Sequence, residues 1–339
     1  MLLENHANPN LAAHDGKTPL MISVLSNCHS VFNILSEFPT ICFGSTDKNQ
    51  WTVAHYASQL GNTELLQIIL TNDSNALRCL DIEGKTPLSV ASCWNQRNII
   101  EFIRENDEDS LSIPDNNGNT ALHHAIRKGN VEIALVLIEL SNIDINSRNK
   151  TGQTPLHIAI ESWMIDLSKN LILNDMCDFN IKDNNGMTPL MLAAKLGQTA
   201  VVKMFLIKEN IDFNACDSQG WTTVHFAAML RNSSMIEELY KSGKFRFNII
   251  TKKGQLPKDI AITYKNKDVG SFLSSTETRI PNTKSKELFT KITLSPPVLS
   301  ESSYEDRSMS DFNDEGNEID EFLQLEKNAD SEYTDDEYY

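Results

Sequence analysis

Short apolar runs at helical spacing alternate with polar turns through most of the chain. Pro189–Leu196 reads as one helix, ended by Gly197. Thr199–Lys208 reads as a second, with Val201, Val202, Phe205 and Leu206 on its inward face. Asp212-Phe213-Asn214-Ala215-Cys216-Asp217-Ser218-Gln219 then predicts an extended turn. The same pattern recurs. Gly16-Lys17-Thr18-Pro19-Leu20, Gly84-Lys85-Thr86-Pro87-Leu88, Gly152-Gln153-Thr154-Pro155-Leu156-His157 and Gly186-Met187-Thr188-Pro189-Leu190 open equivalent units. Gln50-Trp51-Thr52-Val53-Ala54-His55, Gly118-Asn119-Thr120-Ala121-Leu122-His123 and Gly220-Trp221-Thr222-Thr223-Val224-His225 open three more. The threonines fall at 18, 52, 86, 120, 154, 188 and 222, each 34 residues from the last. Gly254-Gln255-Leu256-Pro257 keeps the spacing without the threonine.

Such a period signals a stacked array, because one unit cannot bury its own apolar face. Gly suits the tight turn before the helix. Thr suits the N-cap, and Pro the first helical position, where no N–H is required. A small Ala after the Leu lets neighbouring helices approach closely.

With its Asp-x-x-Gly-x-Thr-Pro-Leu-His openings, its Ala193-Ala194-Lys195-Leu196-Gly197 helix end and its closing Asn146, Asn180, Asn214 and Asn248, the chain resembles the ankyrin repeat family over residues 1–275. Tetratricopeptide repeats share the period but do not need Gly and Pro at fixed places. The resemblance implies an all-α solenoid of helix-turn-helix units joined by extended β-type turns. It also implies that His55, His123, His157 and His225 bond the turn backbone and bridge neighbouring repeats. Stacked repeats hold equivalent atoms about 10 Å apart, too far for these histidines to share a metal ion with bonds of about 2 Å. His124, beside His123, is expected to be exposed. The closing asparagines match the position that asparaginyl hydroxylases modify in the family, with loop stabilisation as the simpler role.

The ends depart from the pattern. Leu2–Asn10 looks like the second helix and closing loop of a repeat whose first half is missing, either a truncation or a half-repeat cap. Pro257–Ser275, with Asp259, Lys265 and Lys267, has the polar outer face of a C-terminal cap. Thr276–Pro296 reads as a Ser/Thr/Lys linker.

Charge separates the rest. The chain's 339 residues carry a net −16. Between Pro297 and Tyr339, 15 acidic residues face only Arg307 and Lys327, a net of −13 that leaves −3 for residues 1–296. So acidic a segment, poor in aliphatics, is predicted to be a disordered tail. Ser295 at the end of the linker and Ser303 and Ser310 in the tail lie in patterns that suit kinases, and Ile319–Leu325 is the tail's one apolar cluster. The balance disfavours nucleic acid and anionic lipid as partners. No run of 18 apolar residues predicts membrane insertion, and Met1–His6 lacks the pattern of a secretory leader. Six scattered cysteines without a CxxC pair argue against zinc and disulfides and fit a cytoplasmic or nuclear compartment. Cys28, Cys93 and Cys216 are expected to be small buried hydrophobes.

No catalytic motif and no cofactor loop is legible, so the sequence predicts a non-enzymatic protein, expected to be monomeric. In the family the turn tips and the concave face of the first helices bind partners. The corresponding tip residues are Trp51, Lys85, Asn119, Gln153, Met187 and Trp221; the helix-end residues include Trp94, Arg127, Lys128, Lys195, Leu196, Met229 and Leu230. Aromatics dominate interface energetics, which favours Trp51 and Trp221 as anchors; the alternative is that they lie flat over an adjacent turn. Arg127, Lys128 and Lys195 form a modest basic patch suited to an acidic peptide or to the chain's own tail. Three functions stay open: an interaction scaffold, an inhibitor that sequesters a basic nucleic-acid-binding partner in the manner of the NF-κB inhibitors, and the regulatory part of a larger enzyme.

Overall fold

The computed structural model describes residues 7–231 and 233–277. The half-repeat reading of Leu2–Asn10 therefore falls mostly outside the described residues, and the acidic tail lies outside them entirely.

Eight helix pairs follow one another. They are α1 (Pro19–Leu25) with α2 (His29–Ser36), α3 (Val53–Leu60) with α4 (Thr63–Asn72), α5 (Pro87–Cys93) with α6 (Arg97–Asn106), and α7 (Ala121–Arg127) with α8 (Val131–Ile138). Next come α9 (Pro155–Glu161) with α10 (Ile165–Leu173), α11 (Pro189–Lys195) with α12 (Thr199–Leu206), α13 (Thr223–Met229) with α14 (Ser233–Ser242), and α15 (Pro257–Thr263) with α16 (Lys267–Glu277). No β-strand occurs among the described residues. The extended turns meet instead through single backbone bonds, such as Asn116 N–H to Glu83 C=O at 2.9 Å and Lys150 N–H to Asn117 C=O at 2.8 Å.

Each first helix starts where its threonine places it. Thr18, Thr86, Thr154 and Thr188 accept a backbone N–H three residues on. In the last pair Leu256 has no such oxygen; the Asp259 carboxylate accepts the Leu256 N–H at 2.8 Å instead. The turn is held by the carboxylate or amide that precedes it. Asp81 Oδ1, for example, accepts from the N–H groups of Glu83 and Lys85. Gly84 has φ of 81°, and a β-carbon there would fall 2.6 Å from the Asn116 backbone nitrogen, so the turn requires glycine.

First helices pack side by side more closely than second helices do, so the first helices form the inner layer of the stack. Small side chains make that approach possible: Ala57, Ala91, Ala125, Ala159, Ala193, Ala227 and Ala261 are all fully buried at the equivalent place. One continuous core runs through the pairs, with Leu88, Leu122, Leu156 and Leu190 from first helices meeting triads such as Ile99, Ile100 and Ile103 from second helices. Val201, Val202 and Phe205 are buried as the sequence predicts, whereas Leu206 is half-buried. The free carbonyls at the ends of first helices are capped across the interface: Gln96 donates to Gln59 C=O at 2.8 Å, Asn130 to Ser92 C=O at 2.7 Å and Gln198 to Ile160 C=O at 2.7 Å.

Candidate partner-binding face

The four repeated histidines are structural. Nδ1 of His55, His123, His157 and His225 accepts the backbone N–H of Thr52, Thr120, Thr154 and Thr222 at 3.1–3.2 Å. The proton therefore sits on Nε2, which donates to the C=O of Lys85, Gln153, Met187 and Gln255 in the next turn at 3.1–3.3 Å. With both nitrogens committed, none of these rings is placed to ligate a metal or shuttle a proton. Burial pushes all four below the ordinary histidine value, His123 to about 4.

His124 corrects the sequence expectation of exposure. It is buried, and its Nε2 stands 3.0 Å from Asp115 Oδ2. It holds the inner-face position that Tyr56 occupies two repeats earlier, where the phenol donates to Asp47 at 2.6 Å. Burial works against the Asp115 carboxylate, but donation from the Asn119 side chain and backbone and the proximity of His124 outweigh it and hold the group below the ordinary aspartate value. The cysteine expectation is corrected too: Cys28 and Cys216 are exposed and Cys93 half-buried, since they sit at the start of α2, in a closing loop and at the last residue of α5 rather than on a packed helix face. Burial raises the Cys93 thiol, with Lys85 and Lys128 opposing less strongly.

The expected contact residues divide three ways. Asn119 and Met187 are buried, which corrects their placement on an open surface. Asn119 joins a polar chain, donating to Asp115 and accepting from Asn149 Nδ2 at 3.1 Å. Met187 packs into the core. Trp51 and Trp221 are half-buried over their own repeats. The Trp51 ring stacks on His55 with centroids 5.8 Å apart and meets Tyr56 at a tilt with centroids 5.1 Å apart, and its N–H donates to Asp81 of the next turn at 3.1 Å. Trp221 lies 5.2 Å from Phe226. Leu196 and Leu230 also pack partly against the core, and Met229 is half-buried beside them. Lys85 pairs with Glu83, and Gln153 donates to Glu161 at 2.8 Å.

Trp94, Arg127, Lys128 and Lys195 are exposed at the ends of first helices. Trp94 is 56% exposed, and Leu60, one repeat before it, 46%. Sequence reasoning missed Trp163, which is 47% exposed two repeats after Trp94. It stands where Gly61, Gly129 and Gly197 end their helices and adopts the same left-handed backbone, with φ of 55°. The register alone carried that signal: a tryptophan at a left-handed position that other repeats fill with Gly, Asn or Lys. A groove of about 410 Å³ opens between the fourth and fifth helix pairs, bounded by Arg127, Lys150, Gln153, Ile158, Glu161 and Ser162 among others.

Among the described residues no cluster of three or more His, Cys, Asp or Glu side chains is placed to hold a metal ion, and no helix is long and apolar enough to cross a membrane.

The fold and its turn chemistry define a helical repeat protein of the solenoid class. The family model described as "Ankyrin repeats (3 copies)" matches residues 40–112, 57–149, 106–183, 140–217 and 164–251, and so covers residues 40–251. The chain belongs to the ankyrin repeat family. No curated protein matches it. Ankyrin repeats are protein–protein interaction modules and are generally non-enzymatic.

Proposed function

We propose that this chain is an interaction scaffold that binds a protein partner along the inner layer of first helices. One observation carries the reading. One continuous core runs through the pairs, and single apolar side chains such as Ile34 and Leu173 stay exposed elsewhere, but the ends of successive first helices present an aligned series, Leu25, Leu60 and Trp94, followed by Arg127 and Lys128. An exposed row of large apolar and cationic side chains on a rigid scaffold has the composition of a protein interface. Lys195 extends the row. Trp51, Lys85, Gln153 and Trp221 border it at the tips and contribute less, since their polar or aromatic groups are already engaged within the stack.

The domain division we propose rests on composition: a repeat domain over 1–275, a linker over 276–296 and an acidic segment over 297–339 that tunes binding through its charge. The test is affinity capture with the full chain and with a form lacking 297–339. A partner retained by both forms supports the scaffold. Capture that depends on the acidic segment and disappears in high salt supports sequestration of a basic partner instead. Absence of any specific partner would overturn both.

A further inference from the structure

The chemistry of the inner face is not uniform, and its sequence of features specifies what fits it. Trp94, Arg127 with Lys128, and Trp163 stand at the ends of α5, α7 and α9, three first helices packed in succession. The two indoles are 56% and 47% exposed. Among the described residues Arg127, Lys128 and Lys150 have no carboxylate at ion-pair distance, whereas most exposed lysines and arginines elsewhere on α4–α12 have a carboxylate or carbonyl partner. Glu161 lines the same groove and accepts from Gln153 at 2.8 Å, so the two cations Arg127 and Lys150 outnumber its one carboxylate. A groove of net positive lining, flanked along the stack by two open indoles, is complementary to a segment with an acidic centre and apolar flanks.

The spacing narrows the conformation. Adjacent helices pack roughly 10 Å apart, so two repeats separate the helix ends that carry the indoles by about 20 Å. A polyproline II chain rises about 3.1 Å per residue with three residues per turn, so residues i, i+3 and i+6 share one face and span about 19 Å. A helix would need roughly 13 residues for the same span.

Resting on the scaffold reading above, we propose that Trp94, the Arg127–Lys150 groove with Lys128 next to Arg127 in the chain, and Trp163 bind an extended acidic segment of a partner protein, with apolar side chains at i and i+6 on the indoles and a carboxylate at i+3 in the groove. The carboxylate takes charge-assisted hydrogen bonds from Arg127. The prolines that favour this conformation fit the intervening positions, and the preformed backbone lowers the ordering cost of binding.

The experiment uses the full chain and a fluorescein-labelled peptide containing Leu-Pro-Ser-Glu-Pro-Ser-Leu, read by anisotropy. Two control peptides replace the Glu by Lys or both Leu by Ser. The first peptide is expected to bind about tenfold or more tightly than either control. Trp94→Ala with Trp163→Ala weakens it by about tenfold or more. Arg127→Glu with Lys128→Glu reverses the preference in favour of the Lys peptide, a gain that a misfolded variant cannot show. Circular dichroism melts check that each variant keeps the stack.

Equal binding of the Glu and Lys peptides, no binding, or binding indifferent to both double variants overturns the proposal. If the chain captures a protein partner that both double variants also capture, this assignment falls while the scaffold reading stands. A chain that captures nothing fails the scaffold reading itself.

Discussion

Arg78 clasps Asp107 across one repeat interface, with Nε 2.8 Å from one carboxylate oxygen and a terminal nitrogen 2.5 Å from the other. Arg78 occupies the place of the closing asparagine. Asn146, Asn180 and Asn214 there donate to a carbonyl 30 residues on and accept an N–H 32 residues on. After α6 the chain turns through a 3-10 helix, Glu108–Ser112, and the fork of an arginine replaces the amide bridge. Arg78→Lys cannot make the paired contact. It should lower the unfolding midpoint nearly as far as Arg78→Ala, and hydrogen exchange should quicken locally over residues 106–112. Full retention of the midpoint by the lysine variant would contradict the fork geometry.

The buried histidines make the stack sensitive to acid. Burial holds them below their ordinary value of 6.5, His123 at about 4. In that window the unfolded chain binds protons that the folded chain refuses. Stability is therefore complete above about pH 6.5 and falls as the pH drops toward 4. Asp115, whose value is lowered, adds loss in the same direction at lower pH. Urea midpoints measured from pH 8 to 4 should decline most steeply below 6.5. Substituting His123 by Asn should reduce the slope, at a cost in stability at neutral pH. A flat profile would contradict the assigned neutral, doubly bonded rings.

Leu190 is 1% exposed where α11 meets its neighbours. Leu190→Ala should cost about 2–5 kcal/mol through lost burial and the cavity left behind. The exposed Leu60 should tolerate alanine within about 0.5 kcal/mol. Equal melting shifts for the two variants would contradict the division between core and binding row.

Much of this was legible before any coordinates. The turn glycines, capping threonines and buried alanines are local requirements repeated every 34 residues, so register alone places them. The roles of His55, His123, His157 and His225 came with the family resemblance, and the bonds match it. Residue type misled where partners come from other repeats. Trp51 reads as an anchor or as a ring lying over an adjacent turn, and nothing in its own repeat points to Asp81, 30 residues on, which accepts its N–H. His124 reads as a surface residue until Asp115 appears beside it. Arg78 gives no hint of Asp107. Trp163 was hidden differently, since its importance lies in the glycine it displaces.

That displacement yields a test that separates stability from function. Trp163 holds φ of 55°, a conformation that costs an L-residue about 1 kcal/mol relative to glycine. Its indole is 47% exposed, so the stack recovers only part of that cost through contacts. Gly61, Gly129 and Gly197 make the same turn without strain. Trp163→Gly should therefore leave stability unchanged or raise it by up to about 1 kcal/mol, while peptide binding weakens. Asn27, Asn95 and Lys265 hold the same register with φ of 52°, 59° and 57°, so the left-handed turn alone does not mark a binding site; loss of peptide binding at kept stability is what assigns the indole its role. If the glycine variant were clearly less stable, the indole would be a packing element. Its place in the recognition row would then pass to Trp94 and the cations alone.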